Sequence, residues 1–264
     1  MLATRDVLWS RPRSISLLVK SVRKLRPTQR RPKRPGSIFH TLYGRFFALH
    51  TYRDLCCYTG IILGHGALLR CSEFAETWNN KPVLTLGQID LRSNEAYITI
   101  DYSKTNQFRK EECIGVPCHC TKHTGKQFGN VTITPDICPF HVLKHFIQSR
   151  NKLFGSDPAQ PLLLKDNNKP LNRQNVTNWM RRVIKAINKH FDLDLNPKHY
   201  PTHSLRVGGT TDLARSGFST HTIESQGRWL SDLWKRTYMS NDYRDIALLS
   251  GLTEIVLKEQ CRYL

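Results

Sequence analysis

The sequence predicts a mainly helical fold carrying one small antiparallel β-sheet near its middle, an α+β class built around one core. Three observations predict it. Apolar residues recur at helical spacing over residues 37–79 and again from residue 139 onward. One pair of segments, 83–91 (VLTLGQIDL) and 96–102 (AYITIDY), alternates apolar and polar instead, with RSNE at 92–95 between them, the pattern of a hairpin. No internal repeat runs along the chain, so its 264 residues suffice for one sizeable core and at most a small second unit.

Taken in order, residues 14–25 (SISLLVKSVRKL) place Ile15, Leu18, Val19, Val22 and Leu25 on one stripe, an amphipathic helix. The segment PTQRRPKRPG at 27–36 interleaves prolines with Arg30, Arg31, Lys33 and Arg34. Its composition reads as a linker, and its cations equally suit a nuclear-localisation or nucleic-acid patch. Residues 37–79 read as two or three helices broken near Thr51 and at Gly64 and Gly66. After the hairpin, 108–131 is polar and bears Gly and Cys, and reads as an extended loop. Helices are expected at 139–153, 172–191, 202–216 and 221–226, with short segments to the C-terminus.

Charge gives the first functional statement. The chain holds 40 Lys plus Arg against 21 Asp plus Glu, a net +19. Residues 1–36 carry eleven of the cations and a single acid, Asp6, or +10, which leaves 19 − 10 = +9 on the other 228 residues. Leader and body are both basic, so polyanions are the natural partners. The Arg-rich, acid-poor start also has the composition of a mitochondrial presequence. The longest apolar run, 58–69 (YTGIILGHGALL), contains His65 and falls well short of the roughly 20 residues that a membrane-spanning helix needs.

Eight cysteines, at 56, 57, 71, 113, 118, 120, 138 and 261, come without a secretory start and read as free thiols rather than a disulfide framework. Cys113, Cys118, Cys120 and His123 (CIGVPCHCTKH) are spaced C-x4-C-x-C-x2-H, which is not one of the common zinc patterns. The default there is a polar, cysteine-bearing loop without metal.

A candidate anion site lies at His203-Ser204-Leu205-Arg206, where His and Arg three apart on a helix share one face and reach one phosphate. Pro201-Thr202 supplies a helix start with a capping hydroxyl, and a helix N-terminus favours an anion. The same H-x-x-R spacing occurs at His50 and Arg53, so the spacing alone does not decide between them.

The surrounding strings do. His203 stands in THSLRVGGTTDLARSG, followed by IESQGRWLSDLWKRTY; GALLRCSEF (66–74) and YSKTNQFRK (102–110) precede them. These four strings, in this order, resemble the boxes of the tyrosine recombinases, the phage integrase family, over about residues 12–245. Within that family HSLRVGG and GRWLSD are most similar to the integrases of DIRS-type and Ngaro-type retroelements.

The resemblance implies a mainly helical catalytic domain with a small sheet at residues 36–264. It also implies that 1–35 form a basic helix and linker, the remnant of an N-terminal core-binding domain. The chain is then a fragment of a longer protein, a degenerate copy, or an enzyme that closes on DNA with a minimal clamp. By the same resemblance Arg70 and Arg206 clamp a scissile phosphate, with Glu73 orienting the clamp. Lys104 protonates the leaving 5′ oxygen, and His203 acts as general acid/base or phosphate ligand. Trp229 donates an N–H to the phosphate, and Tyr238 is the nucleophile that forms a 3′-phosphotyrosine, with Tyr243 the competing phenol five residues on. Thr237 occupies the position where the related retroelement enzymes often carry their tyrosine. The partner is double-stranded DNA, held by a homo-tetramer that exchanges a C-terminal segment, for which 241–264 are available. The site of action is the nucleus or another DNA-containing compartment. No cofactor, metal or ATP is implied.

Elementary chemistry is consistent with that set. A phosphodiester in transfer gathers charge on its non-bridging oxygens, which positioned cations stabilise. Guanidinium suits the task because it offers a planar fork of donors and stays charged. A tyrosine hydroxyl ordinarily ionises near pH 10, and surrounding cations favour the ionised form. Each residue also has a plainer reading. Arg70 and Glu73 are spaced as a helix ion pair, Lys104 as a solvated turn lysine, and Trp229 and Trp234 as core aromatics. Two other functions share the same residues: a domesticated DNA-binding protein that exchanges no strands, and DNA relaxation of the type IB topoisomerase kind.

Overall fold

The apolar run that is too short for a membrane becomes the central helix of the fold. In the computed structural model, which describes residues 51–77, 83–101, 112–120, 138–191 and 193–238, helix α1 spans Tyr52–Gly66. Thr51 caps it, its Oγ1 accepting from the Asp54 N–H at 3.1 Å, which explains the break expected near Thr51. Residues 55–65 of α1 are all buried, so it has no solvent stripe and must be covered on every side.

The cover comes from later in the chain. Helix α2 (Cys71–Phe74) follows directly; α3 (Pro139–Phe154), α4 (Arg173–Phe191) and α5 (Ser204–Arg215) all pack on α1. Along α4, Val176, Met180, Val183 and Ile187 recur at helical spacing and are buried. The crossing of α1 and α5 is close because two glycines permit it. A Cβ on Gly64 would stand 2.8 Å from Leu205 Cδ1, and one on Gly209 would overlap the backbone oxygen of His65. Two short helices, α6 (Thr220–Gly227) and α7 (Leu233–Tyr238), complete the series. Ser219 caps α6, its Oγ accepting from the Thr222 N–H at 3.1 Å.

The sheet is antiparallel with strand order β1-β2-β3. β1 is Ile89–Leu91 and β2 is Glu95–Ile100, joined through the expected turn, in which the Arg92 N–H donates to Glu95 O at 2.9 Å. Ala96, Ile98 and Ile100 of β2 face the core beside Ile114 and Val116 of β3. The alternation that predicted a hairpin therefore records one buried face.

The structure corrects two sequence expectations. The first strand is three residues, not nine. Leu86 and Gly87 turn away into a 3-10 turn (Leu86–Gln88) and donate to the backbone of Gln160 and Pro158, at 2.9 Å each. There a Cβ on Gly87 would lie 2.9 Å from Pro158. The region read as a loop at 108–131 contains β3, Glu112–Pro117. Its alternation is short, with only Ile114 and Val116 facing the core on either side of Gly115, so the pattern is weak in sequence, and pairing with β2 makes the strand.

The fold also fixes the loop at 155–162 around one side chain. Arg150, fully buried, donates five hydrogen bonds: Nε to Leu162 O, Nη1 to Asn151 Oδ1 and Gly155 O, Nη2 to Gln160 Oε1 and Pro161 O. Every donor of the guanidinium is used. Among the described residues no helix is long and apolar enough to cross a membrane. The helix expected at 14–25, the cations Arg30, Arg31, Lys33 and Arg34, the domain boundary at 35, His50, Lys104, His123, Tyr243 and the 241–264 segment lie outside the described residues.

Candidate active site

Four chain segments meet where the C-terminal end of α1, the first turn of α5, the end of α6 and the last residue of α7 come together. Helix α5 does not begin as the sequence suggested. His203, not Thr202, holds the cap position, in helical conformation, and no side chain caps the helix. The turn is closed instead by the Ser204 N–H donating to Pro201 O at 2.8 Å. His203 and Arg206 thus lie three apart at the start of α5, and both reach Tyr238. The His203 and Tyr238 rings are 4.7 Å apart, and Arg206 Cζ lies 5.1 Å from the Tyr238 ring centroid.

Arg206 is as deeply buried as Arg150 but differently occupied. It is 1% exposed, and among the described residues its one hydrogen bond runs from Nη2 to Gly227 O at 2.7 Å. Nε and Nη1 are buried with no partner among the described residues. Burial, and after it the neighbouring Arg70, push its pKa down to about 9. A buried cation with open donors is a costly arrangement unless an anion completes it.

Trp229 lies over the same guanidinium, its ring centroid 4.9 Å from Arg206 Cζ and 4.9 Å from the Tyr238 ring. It stacks on Trp234 at 5.3 Å with an interplanar angle of 13°. The two indoles then diverge. Trp234 is buried and donates to Glu224 Oε1 at 2.9 Å, a core aromatic. The Trp229 indole N–H is buried without a partner among the described residues, although the residue as a whole is only half-buried.

Glu73 organises the other side. Its carboxylate accepts from the Arg70 backbone N–H at 2.7 Å and from Arg70 Nη1 at 3.0 Å. The helix ion pair expected at i, i+3 is therefore formed, across the N-terminus of α2. The same carboxylate also accepts from Arg228 Nη2 at 2.7 Å. Burial pushes the Glu73 pKa up, but Arg228 and then Arg70 outweigh it and hold the carboxyl below its ordinary value. Arg228 in turn lies 3.7 Å from Glu112 at the start of β3.

Arg228 is the residue that sequence reasoning missed. It stands in the GRW string beside Trp229, and its signal is conformational. It ends α6 in left-handed conformation, φ 56°, ψ 50°, unusual for a residue with a long side chain. That turn sends the Arg228 guanidinium to Glu73 and the next side chain, Trp229, to Arg206. Leu68, two residues before Arg70, has φ 50° as well. Strained backbone held beside a cluster of buried charges is the expected signature of a site whose geometry is enforced by its surroundings.

Of the residues predicted from the sequence, Arg206, His203, Trp229 and Tyr238 are brought into one pocket, with Arg70 and Glu73 at its edge. The arrangement gathers guanidiniums, buried N–H donors without a partner among the described residues and a phenol in one cluster, the donor set for an oxyanion with a nucleophile beside it.

The model of the phage integrase family matches residues 49–244. Solved structures similar to the chain include the XerH site-specific recombinase in a post-cleavage complex on palindromic difH substrate. It has a TM-score of 0.51 and 13% identity, covering 81% of this chain and 50% of that one. Two structures of the Tn1549 transposon integrase are also similar. The complex with right-end DNA has a TM-score of 0.52 and 15% identity, with coverage of 87% and 68%. A complex with circular intermediate DNA has a TM-score of 0.54 and 14% identity, with coverage of 90% and 75%. At these identities the likeness is one of fold. The chain spans about half the length of XerH. Compared with the curated proteins, the chain matches none.

Proposed function

We propose that this chain, which belongs to the phage integrase family, breaks and rejoins double-stranded DNA through a covalent 3′-phosphotyrosine at Tyr238. The observation that carries the reading is the contrast between two buried arginines. Arg150 fills all five of its donors within the protein, whereas Arg206 Nε and Nη1 have no partner among the described residues and lie beside the Tyr238 ring. A phosphodiester oxygen between Arg206, Arg70 and the Trp229 N–H would supply the missing acceptor.

In this mechanism the Tyr238 oxygen attacks phosphorus, the bond to the 5′ oxygen breaks, and Lys104 gives that oxygen its proton. His203, 4.7 Å from the Tyr238 ring, takes the phenolic proton or holds the phosphate. A 5′ hydroxyl from a second strand then reverses the chemistry and frees the tyrosine. The bond energy is kept in the phosphotyrosine throughout, so this route consumes no ATP. The strings HSLRVGG and GRWLSD support assignment to the retroelement integrases of the DIRS and Ngaro types, and strand exchange between two sites calls for a tetramer on DNA.

Covalent trapping tests the reading. The protein is incubated with nicked duplexes from a randomised pool and resolved on a denaturing gel. An adduct that survives in Tyr243→Phe but disappears in Tyr238→Phe and Arg206→Ala supports it. Loss in Tyr243→Phe alone moves the nucleophile to Tyr243. Salt-sensitive DNA binding with no adduct in any variant makes the chain a DNA-binding protein without strand exchange. Cross-linking of the wild-type adduct resolves the assembly, and adducts that remain monomeric at all DNA ratios sink the tetramer.

A further inference from the structure

Beyond the C-terminal end of β3, Cys118, Cys120, Cys138 and His141 converge, their ligand atoms all within 4.8 Å of one another. We propose that these four residues bind a structural zinc ion.

Three of the six edges among these ligand atoms match those of a tetrahedron. Zn–S bonds near 2.3 Å and Zn–N bonds near 2.0–2.1 Å give edges of about 3.8 Å between sulfurs and about 3.6 Å between sulfur and nitrogen. Here Cys118 Sγ to Cys138 Sγ is 3.9 Å, and His141 Nδ1 stands 3.6 Å from Cys118 Sγ and 3.4 Å from Cys120 Sγ. A disulfide between Cys118 and Cys138 would need sulfurs near 2.05 Å, so these thiols are gathered without a disulfide. Backbone N–H groups aim at the sulfurs as they do around thiolates: His119 N donates to Cys138 Sγ at 3.3 Å and Cys120 N to Cys118 Sγ at 3.5 Å. Three soft sulfurs and an imidazole, with no oxygen ligand in the group, select zinc over magnesium or calcium.

The plainer reading is three buried cysteines serving as small apolar residues, since Cys118, Cys120 and Cys138 are 6%, 1% and 0% exposed. That reading does not account for the imidazole of His141, which brings a polar nitrogen to the sulfurs. Nor is the location arbitrary. Cys118 and Cys120 directly follow β3, while Cys138 and His141 lie at the cap and first turn of α3. The two ligand pairs, C-x-C and C-x2-H, are separated by 17 residues in sequence. A metal there ties the sheet to the helical core, at the opposite end of β3 from Glu112, which faces Arg228. It also redraws the sequence-based grouping. Cys113 is exposed on β3 and outside the cluster, in which Cys138 and His141 join Cys118 and Cys120.

The test uses the full chain purified under reducing conditions without chelator, and does not depend on DNA chemistry. Elemental analysis is expected to find about one zinc per chain, the stoichiometry of a closed four-ligand site. Cys138→Ser and His141→Ala should lose it, while Cys113→Ser and His123→Ala retain it. Replacement of zinc by Co2+ in the wild type should give the visible d–d bands and sulfur charge transfer of tetrahedral thiolate coordination, which keeps the test valid if the ligand variants misfold. Wild-type protein that holds no zinc and develops no such bands with Co2+ overturns the proposal, as does zinc retained in Cys138→Ser and lost in Cys113→Ser.

Discussion

Arg228 and Glu73, 155 positions apart in the chain, are joined by a 2.7 Å buried ion pair. Glu73 is 5% and Arg228 4% exposed at the side chain, so neither charge is relieved by water. Because the same carboxylate holds Arg70, this pair fixes the geometry of the whole cationic side of the pocket. Removing Glu73 would leave two guanidiniums facing each other. Glu73→Ala is expected to lower the unfolding free energy by about 3–5 kcal/mol, the range for breaking a buried pair. Urea titration measures it, and a change below about 1 kcal/mol would contradict the organising role.

The same carboxylate gives a pH prediction. Its folded-state pKa lies below the ordinary value, so its contribution is fully present above the unfolded carboxylate pKa, near 4.3, and is lost as pH falls through the folded value. Stability measured from pH 7 to pH 3 should fall on the acid side, and the Glu73→Gln variant should show a shallower acid limb than wild type.

Arg206 predicts a conflict between stability and function. Its charge is buried with two donors unpaired among the described residues, so Arg206→Met should leave the melting temperature unchanged or raise it, while abolishing the DNA adduct. Arg206→Lys keeps the charge but loses the fork and should restore little activity. A Met variant that melts many degrees lower would show that Arg206 serves mainly to hold the fold.

Trp229 separates packing from donation. In Trp229→Phe an aromatic ring remains beside Trp234, so stability should change by less than about 1.5 kcal/mol, as for moderate repacking. The indole N–H is gone, and adduct formation should slow by about 10²–10³-fold, the usual effect of deleting one oxyanion donor. An unchanged rate would remove Trp229 from the chemistry.

Two glycines predict opposite phenotypes. A Cβ on Gly209 meets the backbone oxygen of His65, which has little room to give. Gly209→Ala should therefore destabilise by about 1–3 kcal/mol or more, the cost of overpacking. A Cβ on Gly227 meets the indole of Trp229, which is half-exposed and can swing away. Gly227→Ala should still fold, at a cost limited to the displaced indole's packing on Trp234 and Arg206, yet form little adduct.

Much of this fold is legible in the amino-acid pattern. The helix periods at 139–153 and 172–191 reappear as α3 and α4 within one or two residues, because long amphipathic segments have few other ways to bury their apolar faces. The turn at 92–95 is present for the same kind of local reason. The third strand does not announce itself, since ECIGVP carries two core residues around a glycine and becomes a strand only by pairing with β2. In the pocket, the strings around His203, Arg206, Trp229 and Tyr238 mark residues that do converge. Arg228 goes unmarked because its importance lies in a left-handed backbone turn and a partner in α2, neither of which is written in neighbouring residues.

By itself, then, the sequence determined the class of fold, the basic composition and the strings that carry His203, Arg206, Trp229 and Tyr238, all of which follow from local pattern, composition and order along the chain. Tertiary structure decided which charges far apart in the chain are paired. It filled every donor of Arg150 and left Arg206 Nε and Nη1 without a partner among the described residues, set Glu73 between two arginines, and placed Cys138, not Cys113, in the cysteine cluster. The physical reason is that hydrogen bonding and desolvation depend on distances of a few ångströms between residues far apart in the chain, and those distances exist only after α1, α5 and the sheet have packed.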